Sequence, residues 1–216
     1  MIMGIQHWGA FGGFQKKTGA LVGHWVNGQN VITAVPHPSL EPPTVKQLDV
    51  RAKFRLVQSF VLMMGPLVKT GYEFVRKEKQ SAMNAAFSYN YRNALTGVSP
   101  NFVMDYPKVV YSRGMLSEAY TPEVATTVPA ELTFSWLNEF SEGFGDGTDR
   151  ATVMAYNPAK DKFVFKTGAA ARSALTYTLL VPGDFAGDNV HCYMSFVTMD
   201  GKRVSESVYV GMISVM

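Results

Sequence analysis

Four histidines, one cysteine and a carboxylate-rich loop are the residues of this chain whose types suit catalysis or metal binding. His7, His24, His37 and His191 lie in separate segments with no H-x-x-x-H or H-E-x-x-H spacing, so no pair is held on one helix face to share a zinc ion. His191 and Cys192 are adjacent, and neighbours on a strand point to opposite faces, which keeps them from converging on one ion. Cys192 falls on the apolar face of its run, where a free thiol behaves as a small hydrophobe. Glu139, Glu142, Asp146 and Asp149 cluster in E-F-S-E-G-F-G-D-G-T-D-R. The loop lacks the alternating oxygen ligands and closing glutamate of a calcium loop, and a glycosidase pair needs carboxylates held on rigid elements. A solvated hairpin loop is the expectation there. G-x-S-x-G is absent, and so are the spacings of a phosphate-binding glycine loop. No catalytic, cofactor-binding or metal-ligating residue is therefore assigned, and no cofactor is expected.

Binding chemistry has more to work with. Trp8, Phe11, Phe14 and Trp25 stand among glycines near the start, where they can serve as core or subunit interface, or as an exposed platform for a partner or a sugar ring. Arg51, Lys53, Arg55, Lys69, Arg76, Lys77 and Lys79 are basic but scattered, which reads as a solvated face. A net charge of +3 from 20 basic and 17 acidic residues does not call for nucleic acid.

The elements that must position these residues follow from periodicity. Asn27-Gly28 between H-W-V and Q-N-V-I-T predicts a two-residue hairpin, and Lys17-Thr18-Gly19 a shorter turn upstream. After the proline connector Pro36, Pro38, Pro42 and Pro43, Thr44 with Gln47 gives a helix-start pattern. Leu48, Ala52, Leu56, Phe60 and Met64, widened by Val57 and Val61, predict an amphipathic helix ended by Gly65-Pro66. A second helical piece is predicted from Pro66 to Arg76. A third starts near Ser81, with Met83, Phe87, Tyr91 and Ala94 on its apolar side and Gly97 as its stop.

Beyond Ser99-Pro100 the period falls from 3.6 to 2. Strands are predicted at 108–112, 130–137, 151–156, 162–166, 175–181, 190–197 and 208–212, with Gly, Pro, Asn and Asp turns between them. The run V-H-C-Y-M-S-F-V is the organising strand: its even positions Val190, Cys192, Met194 and Phe196 are expected in the core, and His191 and Tyr193 accessible or packed on the N-terminal half.

L-T-F-S-W, the L-x-P formed by Leu180, Val181 and Pro182, and the long C-terminal pair joined by D-G-K-R-V-S resemble a fibronectin type III or related immunoglobulin-like domain. The family tyrosine after L-x-P is missing, and residues 185–189 read as extra loop. Nearly the full chain also resembles a domain-of-unknown-function family widespread in Bacteroidota, through G-G-F-Q-K-K-T-G-A-L-V-G, P-P-T-V-K-Q-L-D-V-R-A-K-F, S-A-M-N-A-A-F-S-Y-N, Y-N-P-A-K and V-H-C-Y-M-S-F-V-T-M-D-G-K. That resemblance implies no activity.

The expected fold class is α+β: a glycine-rich hairpin plus three helices over residues 1–104, and an antiparallel immunoglobulin-like β-sandwich over residues 105–216. The expected role is a non-enzymatic structural or protein-interaction module of a larger bacterial or phage-derived assembly, with a protein partner or self-association. The alternative is a carbohydrate-binding or carbohydrate-processing protein. No signal peptide or membrane span is read, and the single cysteine fits a reducing compartment, so the default location is the cytoplasm.

Overall fold

The computed structural model describes residues 4–5, 13–37 and 40–216, which fall into two compact units, Met1–Val45 and Lys46–Met216. In the first, β1 (Gly4–Ile5), β2 (Lys16–Thr18), β3 (Leu21–Val26) and β4 (Gln29–Ala34) form an antiparallel sheet in the order β1-β4-β3-β2. Asn27 and Gly28 close the β3-β4 hairpin with φ of 50° and 78°. Those are the two left-handed centres of a type I′ turn, which Asn-Gly adopts with little strain. The upstream turn sits at Gly19-Ala20, because Thr18 already pairs with Leu21.

The second unit is built in layers. Helices α1 (Val45–Met63), α2 (Gly65–Gly71) and α3 (Ala82–Asn93) lead into a small hairpin of β5 (Leu95–Val98) and β6 (Asn101–Met104). The sandwich follows: β7 (Tyr120–Ala125), β8 (Glu131–Leu137), β9 (Arg150–Asn157), β10 (Lys162–Lys166), β11 (Thr176–Leu180), β12 (Asn189–Val197) and β13 (Val208–Ser214). One sheet runs β11-β8-β7 and the other β10-β9-β12-β13. The chain crosses between sheets after β8, β10 and β11, which is the antiparallel immunoglobulin-like sandwich that the alternating pattern predicts.

The four-stranded sheet is buried on both faces. Val153, Ala155, Val190, Cys192, Met194 and Phe196 meet Leu132, Phe134 and Trp136 of the other sheet. Met154, Tyr156 and Tyr193 meet Val57, Phe60, Met64, Val68 and Ala86 of the helices. Successive side chains of a strand point to opposite faces, so β9 and β12 are buried along almost their whole length. His191 and Tyr193 are thus packed rather than accessible, with Tyr193 Oη donating to the Tyr106 carbonyl at 2.8 Å. The period change in the sequence sets a boundary near residue 104, whereas this shared core groups the helices with the strands.

Several expectations are corrected. Residues 108–112 form no strand: a 3-10 turn at Tyr106–Lys108 runs into a buried extended segment whose backbone is held by side chains. Asn90 of α3 accepts from Val110 N at 3.0 Å and donates to Val110 O at 2.8 Å, and the Ser207 hydroxyl accepts from Tyr111 N at 3.0 Å. Buried backbone groups must be paired, and here an amide and a hydroxyl substitute for a neighbouring strand. On α3 the buried face is Ala82, Ala86 and Asn90, one residue round from the predicted Met83, Phe87 and Tyr91, which are half-buried. Gly97 lies inside β5 rather than stopping the helix. The stripe on α1 is buried only from Val57 onward; Leu48 and Ala52 are exposed. A bulge in β13 opposite Cys192 and Tyr193 shifts the alternation, so Met212 faces solvent while Ile213 packs inward. Residues 185–188 do lie in the connection between β11 and β12, but Asn189 already opens β12 and the Phe185 side chain is fully buried in the sandwich core.

Candidate functional site

Arg172 is the residue from which the most site-like feature of the second unit is built. Among the described residues it is the largest fully buried side chain, at 0% exposure, and its partner Asp149 is 2% exposed. Arg172 Nε lies 3.4 Å from Asp149 Oδ2, and the guanidinium plane stacks 3.7 Å from the centre of the Phe196 ring. Its two remaining nitrogens donate to the carbonyls of Ser117 (2.7 Å) and Glu118 (3.2 Å). Burial pulls the guanidinium below the usual arginine range, with the Asp149 carboxylate opposing that shift. The expectation of a solvated carboxylate loop is therefore wrong for Asp149: its carboxylate turns inward, pairs with Arg172 and accepts from Asp146 N at 2.8 Å. Asp146 remains a surface group, its carboxyl held below the usual range chiefly by the Thr148 backbone N–H.

Through these bonds Arg172 fixes a cleft of about 870 Å3 where β7 begins and β8 ends. One lip is the segment 114–120, tied to Arg172 by its carbonyls. Gly114 lets this lip lie against the Val204 carbonyl, where any side chain would collide. The other lip, 138–141, is stapled to the first by Ser141 N donating to Ser117 Oγ at 3.1 Å, while Ser117 N donates to Phe144 O at 2.6 Å. Phe140 also reaches over the Arg172 guanidinium, at 5.6 Å. The lining offers two carboxylates, Glu118 and Glu139, the amide of Asn138, hydroxyls of Ser117 and Ser141, and the apolar surfaces of Met115, Tyr120 and Phe140. Burial raises the Glu118 carboxyl above the usual range, and Glu206 adds to it. The chemistry available is recognition of hydrogen-bond donors or cations flanked by apolar groups. The sequence carried one signal for it: a lone arginine in the small apolar run A-A-A-R-S-A-L.

A second exposed feature lies on α1. Val50, Phe54 and Leu62, at 57, 52 and 56% exposure, line a groove of about 540 Å3 with Arg51, Arg55, Gln58 and Ser59. Of the aromatic group read from the sequence, Trp8 and Phe11 lie outside the described residues. Phe14 is half-buried, its carbonyl accepting from Asn30 Nδ2 at 2.9 Å, and Trp25 is exposed on β3.

The remaining reactive groups are structural. Burial pushes the Cys192 thiol up to about 12, far from a resting thiolate. His191 Nδ1 shares a 2.9 Å hydrogen bond with Tyr209 Oη, and its ring stacks on Tyr106 at 4.3 Å. Among the described residues no three His, Cys, Asp or Glu side chains converge to hold a metal, and no helix is long and apolar enough to cross a membrane.

No curated protein matches this sequence. Among solved structures the chain is similar to the fn3 domain of the human collagen alpha-1(XX) chain, at 19% identity over 46% of this chain and 85% of that one, with a TM-score of 0.33. Residues 13–211 match DUF6266, a family of unknown function, and the chain belongs to that family.

Proposed function

We propose that the chain is a non-enzymatic protein-interaction module of a larger bacterial or phage-derived assembly acting in the cytoplasm. The observation that carries this reading is the outer face of α1, where Val50 and Leu62 stay in water and Phe54, resting on the Phe87 ring at 4.8 Å, keeps about half its surface exposed, while the same helix anchors Val57, Phe60 and Val61 in the core. Fully burying side chains of this kind contributes roughly 1.5–3 kcal/mol each, and adjoining exposed apolar groups mark association surfaces. Trp25, and with it the aromatic group Trp8, Phe11 and Phe14, is proposed as a further contact surface. Light scattering over a wide concentration range tests the reading, on the whole chain and on a Val50→Ser, Leu62→Ser variant. Association that weakens in the variant is expected. A whole chain that stays monomeric throughout, and binds no other protein through this face, would overturn it.

The cleft favours a second reading, carbohydrate binding, because Tyr120 and Phe140 stand beside carboxylate, amide and hydroxyl groups. A glycan array with the whole chain and with Tyr120→Ala and Trp25→Ala separates the two. Binding lost in either variant supports the sugar reading, and silence across the array removes it.

A further inference from the structure

We propose that the protein associates with itself head to tail, the basic and apolar outer face of α1 in one copy docking into the acidic cleft of the next. This rests on the interaction-module reading and names its partner as a second copy of the chain. Both surfaces are on the same unit, and their charges are complementary. On α1 the apolar strip of Val50, Phe54 and Leu62 is bordered by Arg51 and Arg55, neither of which has an acidic partner among the described residues. The cleft presents Glu118 and Glu139, likewise without a cation, beside the apolar surfaces of Met115, Tyr120 and Phe140. Arginines beside the cleft are already committed: Arg172 to Asp149 and two carbonyls beneath its floor, Arg113, next to Gly114 of the lip, to Glu206, and Arg203 to the Gly143 carbonyl. Glu118 and Glu139 are both exposed at the cleft, so an incoming guanidinium can reach them as rim charge pairs.

The same charges exclude the symmetric alternatives. Packing two α1 faces together would oppose four arginines, and packing two clefts would oppose four glutamates; like charges across an interface disfavour both. The helix face and the cleft share no residue, so one copy offers both at once. A contact between different patches of identical chains is heterologous, and it closes a ring or continues as a filament according to the rotation it imposes. Two charge pairs at the rim also make association fast and sensitive to salt.

The test uses the whole chain in sedimentation velocity over a wide concentration range, in low salt and in ~1 M salt, where the screening length is ~3 Å. Wild type should grow in mass with concentration at low salt and lose that growth at high salt. Two surface variants, Arg51→Glu, Arg55→Glu on the helix and Glu118→Lys, Glu139→Lys in the cleft, should each lose it alone. Mixed in equal amounts they should regain it, because each mixture contact then pairs opposite charges. Unchanged melting curves confirm that both variants are folded. A mixture that stays dissociated, or a variant that still associates alone, overturns the head-to-tail contact while leaving the interaction-module reading standing. A wild type that never associates overturns the contact too; if this face also binds no other protein, that reading falls with it. Growth that persists in high salt, or a cleft that takes a basic peptide but no second copy, also overturns it.

Discussion

Asp149→Asn is the substitution that tests the core of the cleft most directly. Asparagine is nearly isosteric and can still accept from Asp146 N, so the change removes a charge and little else. The charge it leaves behind is Arg172, which has no contact with solvent and whose Nε is buried without a hydrogen-bond acceptor. Removing one partner of a buried ion pair costs about 3–5 kcal/mol, because the other charge stays desolvated and uncompensated. Against a typical total of about 5–15 kcal/mol this is a large share. In a chain of this size it corresponds to a fall of roughly 6–20 °C in Tm. Urea unfolding followed by circular dichroism, in parallel with thermal melts, reads the change. Arg172→Met should cost a similar amount by another route, since it frees the carbonyls of Ser117 and Glu118 and strands the Asp149 carboxylate. The double variant Asp149→Asn, Arg172→Met should be less destabilised than the two single losses added together. A loss below about 1 kcal/mol in Asp149→Asn, or simple additivity in the double variant, would show that the guanidinium reaches water and that the pair does not build the cleft.

Two other predictions concern the layer between the helices and the sheet. Asn90→Leu keeps the branched shape and the number of heavy atoms, in a somewhat larger side chain, but leaves Val110 N–H without its acceptor and removes two donated bonds, to Ala86 O and Val110 O. A buried donor left unpaired costs about 1–3 kcal/mol, so the expected loss is at least that; a neutral result would mean the segment around Val110 re-pairs elsewhere. Burial lowers the pKa of His191, so the folded state prefers the neutral ring and the unfolded chain binds the proton more readily. Its contribution is whole above the unfolded value, about 6.5, and is lost as pH falls from there through the lower folded value. Urea midpoints between pH 7.5 and 5.5 should drop in wild type and drop less in His191→Gln, and identical slopes would refute the assignment.

What the sequence made legible is what local chemistry determines. Asn27-Gly28 closes a hairpin because few other pairs take two positive φ values. Leu132, Phe134 and Trp136 alternate because one side of β8 meets a core and the other meets water. Legibility failed where a tertiary partner replaced a local rule. Residues 108–112 carry strand-like composition, yet Asn90 and Ser207, far away in the chain, satisfy their backbone. The alternation of β13 breaks at a bulge, and Gly211 there marks the break only in hindsight. On α1 the apolar period continues past the point where the core ends, so periodicity predicted burial for Leu48, which the structure leaves in water.

The cleft illustrates the deeper reason why sites of this kind escape a reading by periodicity. Its lips are irregular segments, which have no period, and the group that joins them sits 54 and 55 residues from the carbonyls it holds. Nothing in E-F-S-E-G-F-G-D-G-T-D-R distinguishes the carboxylate that turns inward from those that face water. The distinguishing information lies in the partner: a single arginine inside A-A-A-R-S-A-L, where small apolar neighbours predict burial and burial of a cation demands an anion. Desolvation makes such a pair a weak source of net stability, since a hydrophobic replacement can serve a fold as well. Here it binds both backbone carbonyls of one lip, stacks on Phe196 of the core and reaches Phe140 of the other lip, work that no apolar side chain could do. The ion pair is therefore better explained by the shape it imposes on the cleft than by the stability it adds. For that reason the charge reversals at Glu118 and Glu139, which leave Arg172 untouched, separate the cleft's binding role from its architecture.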